Sequence, residues 1–345
     1  MKINDRTISQ NFDPYIVAEV SANHNGRIES ALELIALAKE AGADAVKIQT
    51  YTPDTITLNS RNPDFMLTEG LWAGKSLYEL YQEAHTPWEW HHQLFDFARN
   101  LGITIFSSPF DSTAVDFLEE LGTPAYKIAS FEIVDLPLLK RVAQTGKPVI
   151  VSTGLANLEE IEQAINVLDG NGCRSYALLH CVSAYPAKAE DYNLATIVDL
   201  KNRFQCEVGL SDHTVDNTTA IASVALGSTI IEKHFTLDRN GGGPDDSFSM
   251  EPEDLSSLVR DCRQARKALG CINYQIKEGE RSNLTFRRSL YYTKDLTAGS
   301  VISEDNVRSV RPGFGLPVKF LPDILGKRVN KQISAFERVE LSHLE

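Results

Sequence analysis

The chain reads as an α/β protein: a TIM (β/α)8 barrel followed by a small C-terminal domain. Three observations predict the barrel. Eight short runs rich in Val, Ile, Tyr and Thr recur between residues 15 and 235, the composition strands prefer. Amphipathic helical stretches separate most of them, and such alternation with buried strands implies a parallel sheet with helices outside. Polar residues gather at the same, C-terminal, end of each run, as they do at a barrel mouth. An open doubly wound sheet is the alternative, but it would not bring all these ends to one place.

In order, YIVAEV (15–20) leads to SALELIALAKEAG (30–42), where Leu32, Ile35 and Leu37 are apolar and a glycine stops the helix. ADAVKIQT (43–50) is followed by a long insert from Tyr51 to Pro87. Long loops on the strand-end face form lids or substrate walls. ITIFSSP (103–109) precedes DSTAVDFLEELG, which opens on Asp111 as an N-cap. AYKIAS (125–130), PVIVST (148–153), YALLHC (176–181), CEVGLSD (206–212) and TIIEKHF (229–235) complete the strands. The helical stretches DLPLLKRVAQTG, NLEEIEQAINVL, VDNTTAIASVALG and EPEDLSSLVRDCRQARKALG complete the helices. The polar ends are Glu19, Lys47 and Gln49, Ser107 and Ser108, Lys127 and Ser130, Ser152, His180, Ser211 to His213, and Lys233 with His234.

The barrel pattern stops at Gly270, giving a catalytic domain over 1–270, a polar linker over 271–285 and a small domain over 286–345 with short β-like pieces. That tail is short for a core of its own and is expected to dock on a barrel. A net charge of −13 argues against a nucleic-acid partner. MKINDRTISQNF lacks the apolar centre of a leader, and no run reaches membrane-spanning length. A cytoplasmic protein without a membrane partner is expected. Five cysteines, without a C-x-x-C pair, read as reduced packing residues.

Lys47 and Lys127 sit in otherwise apolar runs, and a buried lysine needs an anion. Either an internal carboxylate, such as Glu19 or Glu132, or a substrate phosphate or carboxylate answers that need. Ser130, Ser152, Ser183 and Ser211 would add donors around an anion. His213 and His234 end consecutive strands and suit a divalent cation with positions left open for substrate. Glu19, Glu132 and Asp245 are the candidate acids, bases or sugar-hydroxyl ligands. His24 is either a further site residue or a helix-start feature.

The ordered motifs AEVSANHNG, KIQT, SSPF, KIASFEI, STG, HCVSAYP, GLSDHT, EKHFT, GGPD, FRRSL and RPGFGL resemble the sialic acid synthase family over nearly the whole chain. The resemblance implies condensation of phosphoenolpyruvate, as co-substrate, with an N-acylated amino sugar. It also implies a divalent metal (manganese, magnesium or cobalt) and a β-clip tail of the antifreeze-like SAF type. In such a homodimer the small domain reaches over the partner's barrel. By residue, it implies that Lys47, Lys127, Ser130, Ser152 and Ser211 bind phosphoenolpyruvate, with Ser108 and Ser183 beside them. His213 and His234 would hold the metal. Glu19, Gln49, Tyr185 and Asp245 would surround the sugar, and Glu132 would stand at the reacting centre. Phe286 would lie near the mouth, and Arg311 would enter the neighbouring barrel. Ser183 departs from the asparagine found in many members, a hydroxyl in place of an amide.

Within the family the insert LWAGKSLYELYQEAHTPWEW, with SSPFD and GPDDSFSM, is similar to the branch acting on a 2,4-diacetamido-2,4,6-trideoxy-altrose. Its aromatics Trp72, Tyr78, Tyr81, Trp88 and Trp90 are either an apolar substrate wall or lid packing. The same chemistry on an acceptor leading to N-acetylneuraminate or legionaminate is the alternative. A non-enzymatic sugar-binding protein would not need the two lysines and two histidines. A metal hydrolase would want more ligands than the single histidine after the first strand.

Overall fold

The computed structural model describes residues 1–345, which divide into two compact units, Met1–Gly270 and Cys271–Glu345. In the first, β1 (Tyr15–Glu19), β2 (Ala45–Thr50), β3 (Thr104–Pro109), β4 (Tyr126–Ile128), β5 (Val149–Ser152), β6 (Tyr176–Cys181), β7 (Glu207–Asp212) and β8 (Ile230–His234) form a closed barrel. All neighbours are parallel, and β8 closes on β1 with His234 opposite Glu19. Between strands run α1 (Ile28–Glu40), α2 (Leu77–Ala84) within the insert, α3 (Trp88–Leu101), α4 (Ser112–Glu120), α5 (Leu136–Ala143), α6 (Leu158–Gly170), α7 (Thr196–Phe204) and α8 (Thr218–Ala225). Helix α9 (Pro252–Leu269) ends the unit. Asp111 caps α4, accepting from the Thr113 and Ala114 amides at 3.0 and 3.2 Å. Helices α3 and α7 have no counterpart in the amphipathic series read from the sequence. No helix is long and apolar enough to cross a membrane.

The pleat sorts every strand residue to one of two faces. Ile16, Ala18, Val46, Ile48, Val151 and Leu210 pack against the helices. The alternate residues Tyr15, Val17, Ala45, Phe106, Ile150 and Leu179 fill the interior near the N-terminal ends, with Ile3 and Ile8 of the N-terminal segment beneath them. Gly209 belongs to this interior row. A Cβ there would stand 2.2 Å from the Ile230 carbonyl oxygen and 2.6 Å from Leu179, so only hydrogen fits. Continued upward, the same rows are polar: Glu19, Lys47, Gln49, Ser108, Lys127, Ser152, Cys181, Ser211, Glu232 and His234.

That alternation corrects part of the sequence reading. Lys233 has the opposite parity and does not face the mouth. Its Nζ is tied outside the barrel to Asp212 Oδ2 at 2.8 Å and to the Thr214 and Asp216 carbonyls at 2.7 and 2.9 Å. Ser107 and His180 likewise point outward, to Thr50 and to the Tyr192 carbonyl.

The insert folds as a helical turn (Pro53–Ile56), a 3-10 turn (Pro63–Phe65) and α2. Ser76 and Glu79 cap α2 reciprocally, each accepting from the other's amide at 3.2 and 2.9 Å. In the second unit, β9 (Ser289–Tyr292) pairs antiparallel with β10 (Val307–Val310). The unit closes a core of its own, including Leu290, Tyr292, Ile302, Val329 and Ile333. The stretch expected as linker carries 3-10 turns over Glu278–Phe286.

Candidate active site

Inside the barrel, two lysines and two glutamates form a neutral quartet, none of them more than 4% exposed. Lys47 Nζ lies 2.8 Å from Glu19 Oε2 and 3.5 Å from Glu232 Oε1, and Lys127 Nζ lies 2.7 Å from the same Glu232 oxygen. The anion expected for Lys47 is Glu19. For Lys127 it is Glu232, a residue the motif reading passed over, and not Glu132. Burial opposes charge on all four. For Glu232 the two ammonium groups outweigh burial and lower its pKa, whereas for Glu19 burial prevails and raises it. Burial likewise lowers Lys127, while for Lys47 the pull of Glu19 and Glu232 prevails and raises it. Ser108 Oγ is 3.4 Å from Lys47 Nζ, and Ser211 Oγ is 3.4 Å from Glu232 Oε1. The second Glu232 oxygen is buried without a partner.

Beside the quartet is a cradle of hydroxyls. Ser152 Oγ, at the end of β5, is buried and unpartnered. Ser130 begins the 3-10 turn Ser130–Val134. A Cβ on Gly154 would stand 2.4 Å from Ser183 Oγ and 2.7 Å from Ser130 Oγ, so both hydroxyls converge over that glycine. The two ammonium groups, an unpartnered Ser152 hydroxyl, two further hydroxyls and bare backbone together make an anion site.

The His213 and His234 rings stand 5.4 Å apart. His213 Nδ1–H donates to the Val182 carbonyl at 2.8 Å, fixing the ring and leaving Nε2 free. Tyr185 packs against both, at 4.5 and 6.1 Å between ring centres. His234 Nδ1 is buried and has no hydrogen-bond partner. Asp245 Oδ2 approaches it to 3.7 Å, but burial, His213 and the lysines hold His234 neutral, so this is not an ion pair. Burial works against charge on His213 too, yet Cys181 and the Val182 carbonyl raise its pKa. Cys181 Sγ lies 3.9 Å from His213 Nδ1 and is drawn down to about 7 in spite of burial, chiefly by that imidazole. It was expected only to pack. No three His, Cys, Asp or Glu side chains group at ligand spacing. Two imidazoles, one with an orphaned nitrogen, fit a cation whose other positions belong to water and substrate, and not a closed structural site.

Gln49 Nε2 donates to Glu19 Oε1 at 2.8 Å and to Ser21 Oγ at 2.9 Å, and Ser21 Oγ donates to Asp245 Oδ2 at 2.6 Å. Gln49, Ser21 and Asp245, with Glu132, His234 and Tyr185, form the polar lining of a cavity of about 390 Å3. Glu132 is half-buried, its Oε2 is sealed and unpartnered, and burial pushes its carboxyl up to about 7. A carboxyl poised near neutrality in a cleft is suited to proton transfer. His24 Nδ1 accepts from the Gly26 amide at 3.1 Å, a turn feature ahead of α1. Phe286 and Arg311 lie on the C-terminal unit and are exposed there.

Comparison with known proteins adds an independent line. The NeuB family matches residues 34–274, and the SAF domain matches residues 287–345. A pseudaminic acid synthase of Campylobacter jejuni is 47% identical over 319 residues, 92% of this chain and 93% of that protein. An N,N'-diacetyllegionaminic acid synthase of the same species is 38% identical over 328 residues, 94% and 98% of the two chains. Among solved structures, the N-acetylneuraminic acid (sialic acid) synthetase of Leptospira borgpetersenii superposes with a TM-score of 0.73 at 32% identity, covering 82% of this chain and 94% of that one.

Proposed function

The chain belongs to the NeuB family, and from that premise we propose that it condenses phosphoenolpyruvate with 2,4-diacetamido-2,4,6-trideoxy-altrose. The products would be pseudaminic acid and inorganic phosphate. The observation that carries this reading is the union, in one barrel mouth, of an anion cradle, two ring nitrogens free to ligate and a carboxyl poised near pH 7. The greater identity to a pseudaminic than to a legionaminic acid synthase favours this acceptor.

Lys47 and Lys127, with Ser130, Ser152, Ser183 and Ser211, bind and orient phosphoenolpyruvate, so positioning and charge stabilisation are their contribution. Gln49, Glu19 and Asp245 orient the acceptor. His213 and His234 are the residues that would hold a divalent cation, manganese, magnesium or cobalt, which when bound supplies Lewis acidity at the acceptor aldehyde. The methylene carbon of phosphoenolpyruvate, using the electrons of its double bond, bonds to the aldehyde carbon; the former enol carbon becomes an oxocarbenium and the aldehyde oxygen takes a proton from solvent. Water then adds to the former enol carbon, its proton accepted by Glu132. Cleavage of the carbon–oxygen bond to phosphate leaves the 2-keto acid. Tyr185 and Phe248 pack on the imidazoles and limit water around them.

Arg311 and Phe286 complete the site from the small domain of a partner copy in a homodimer. Both being exposed on their own unit supports this. The enzyme works in the cytoplasm, and its five free cysteines agree with a reducing compartment. The direct test is phosphate release from phosphoenolpyruvate with manganese. Release should depend on the altrose acceptor; release without any acceptor, or none with it, would overturn the proposal.

A further inference from the structure

The cavity has two chemically distinct ends. One is polar, formed by Gln49, Glu132, His234 and Asp245, and there the reacting aldehyde must lie, joined to Lys47 through Gln49 and Glu19. The other is built by the insert, from Ile56, Leu67, Trp72, Leu77 and Leu80. Of the aromatics named from the sequence, Trp72 and Tyr81 line the cavity, whereas Trp88 stacks on Phe117 and Trp90 stands edge-on to His24. Trp72 does more than line it. Its Nε1–H donates to the Pro244 carbonyl at 3.1 Å, tying the insert to the loop that carries Asp245. That bond uses the only side-chain hydrogen-bonding atom among those five wall residues. Tyr51 and Tyr81 also line the cavity, between this wall and the carboxylates, with rings 5.6 Å apart.

We propose that Leu67, Leu77 and Trp72 form a specificity wall that reads the terminal carbon of the acceptor, selecting a methyl over a hydroxymethyl group. This rests on the synthase reading above. With the aldehyde fixed at the polar end, an extended six-carbon chain carries its last carbon toward the insert. A hydroxyl there gives up its water and meets hydrocarbon. An apolar pocket rejects an added hydroxyl by about 100-fold. The wall therefore sets acceptor choice without touching phosphoenolpyruvate.

The test compares the altrose acceptor with its counterpart bearing a 6-hydroxyl, for wild type, Leu67→Gln and Leu77→Gln. Wild type should prefer the 6-deoxy sugar by about 100-fold in kcat/KM. Each variant offers an amide to the hydroxyl and should narrow that preference by at least about tenfold. The KM for phosphoenolpyruvate and the melting temperature should stay put. A wild type that uses both sugars equally overturns the wall and leaves the synthase reading standing. So do folded variants that lose both activities in equal proportion. Failure of wild type to release phosphate with either sugar overturns the synthase reading itself, and the wall with it.

Discussion

Replacing Glu132 by Gln separates the chemistry of this carboxyl from its effect on stability. The side chain keeps its shape and loses its charge. Burial lifts the carboxyl from 4.5 to about 7. Between those values the folded protein binds a proton that the unfolded chain has released, so stability falls as pH rises through the window. At about 1.4 kcal/mol per tenfold change in acidity, the full shift amounts to about 3 kcal/mol. Because the residue keeps some contact with water, we expect about 1–3 kcal/mol. Glu132→Gln should therefore be more stable than wild type at pH 8 by that amount, and nearly equal to it at pH 4. Its turnover should fall by about 100- to 10,000-fold, the range for a lost general base. In wild type, kcat/KM should climb with pH through about 7, because the ionised form accepts the proton from water. That limb should vanish from the residual activity of the variant, which separates it from titration of the substrate phosphate. Denaturant melts at the two pH values and steady-state phosphate release measure both effects. Wild-type turnover with an unchanged pH profile in the variant would refute the reasoning.

Lys127→Met should leave Glu232 with only the more distant Lys47, 3.5 Å away, and destabilise the protein by up to about 3–5 kcal/mol. Adding Glu232→Gln should restore most of that loss, as read by denaturant melts, without restoring turnover. Gly154→Ala would thrust a methyl between Ser130 and Ser183 and should raise KM for phosphoenolpyruvate about 100-fold, with the acceptor KM little changed in initial-rate kinetics. His234→Ala should abolish turnover and titratable manganese binding by calorimetry; near-normal turnover after metal stripping would contradict the ligand assignment. Lys127→Met and Arg311→Ala chains, each inactive alone, should on mixing recover about a quarter of wild-type activity, since half the dimers are mixed and each has one intact mouth. No recovery in dimers shown by native mass spectrometry to have exchanged chains would rule out the shared site.

The barrel and most of its mouth were legible because each strand run ends in polar residues, although Ser107, His180 and Lys233 among them make ties outside the barrel. The quartet was legible only in part. Barrel strands are apolar on both faces, so period-two alternation disappears and the sequence does not say which of Glu232, Lys233 and His234 points inward. Closure decides it: register with Glu19 sends Glu232 and His234 in and Lys233 out. Cys181 escaped for a similar reason, since a small thiol reads as packing until His213 is seen beside it. The insert wall was the least legible. Leu67 follows Phe65 and Met66, and Leu77 stands ahead of Tyr78 and Leu80, so the sequence does not say which of them faces the cavity until the insert is folded.

The most direct measurement follows phosphoenolpyruvate carbon-labelled at its methylene, incubated with the altrose acceptor and manganese, by nuclear magnetic resonance. The account predicts that the label moves into the C3 methylene of a nine-carbon 2-keto acid as phosphate appears in equal amount. Label recovered as pyruvate, with the acceptor unchanged, would show hydrolysis without carbon–carbon bond formation and would contradict it.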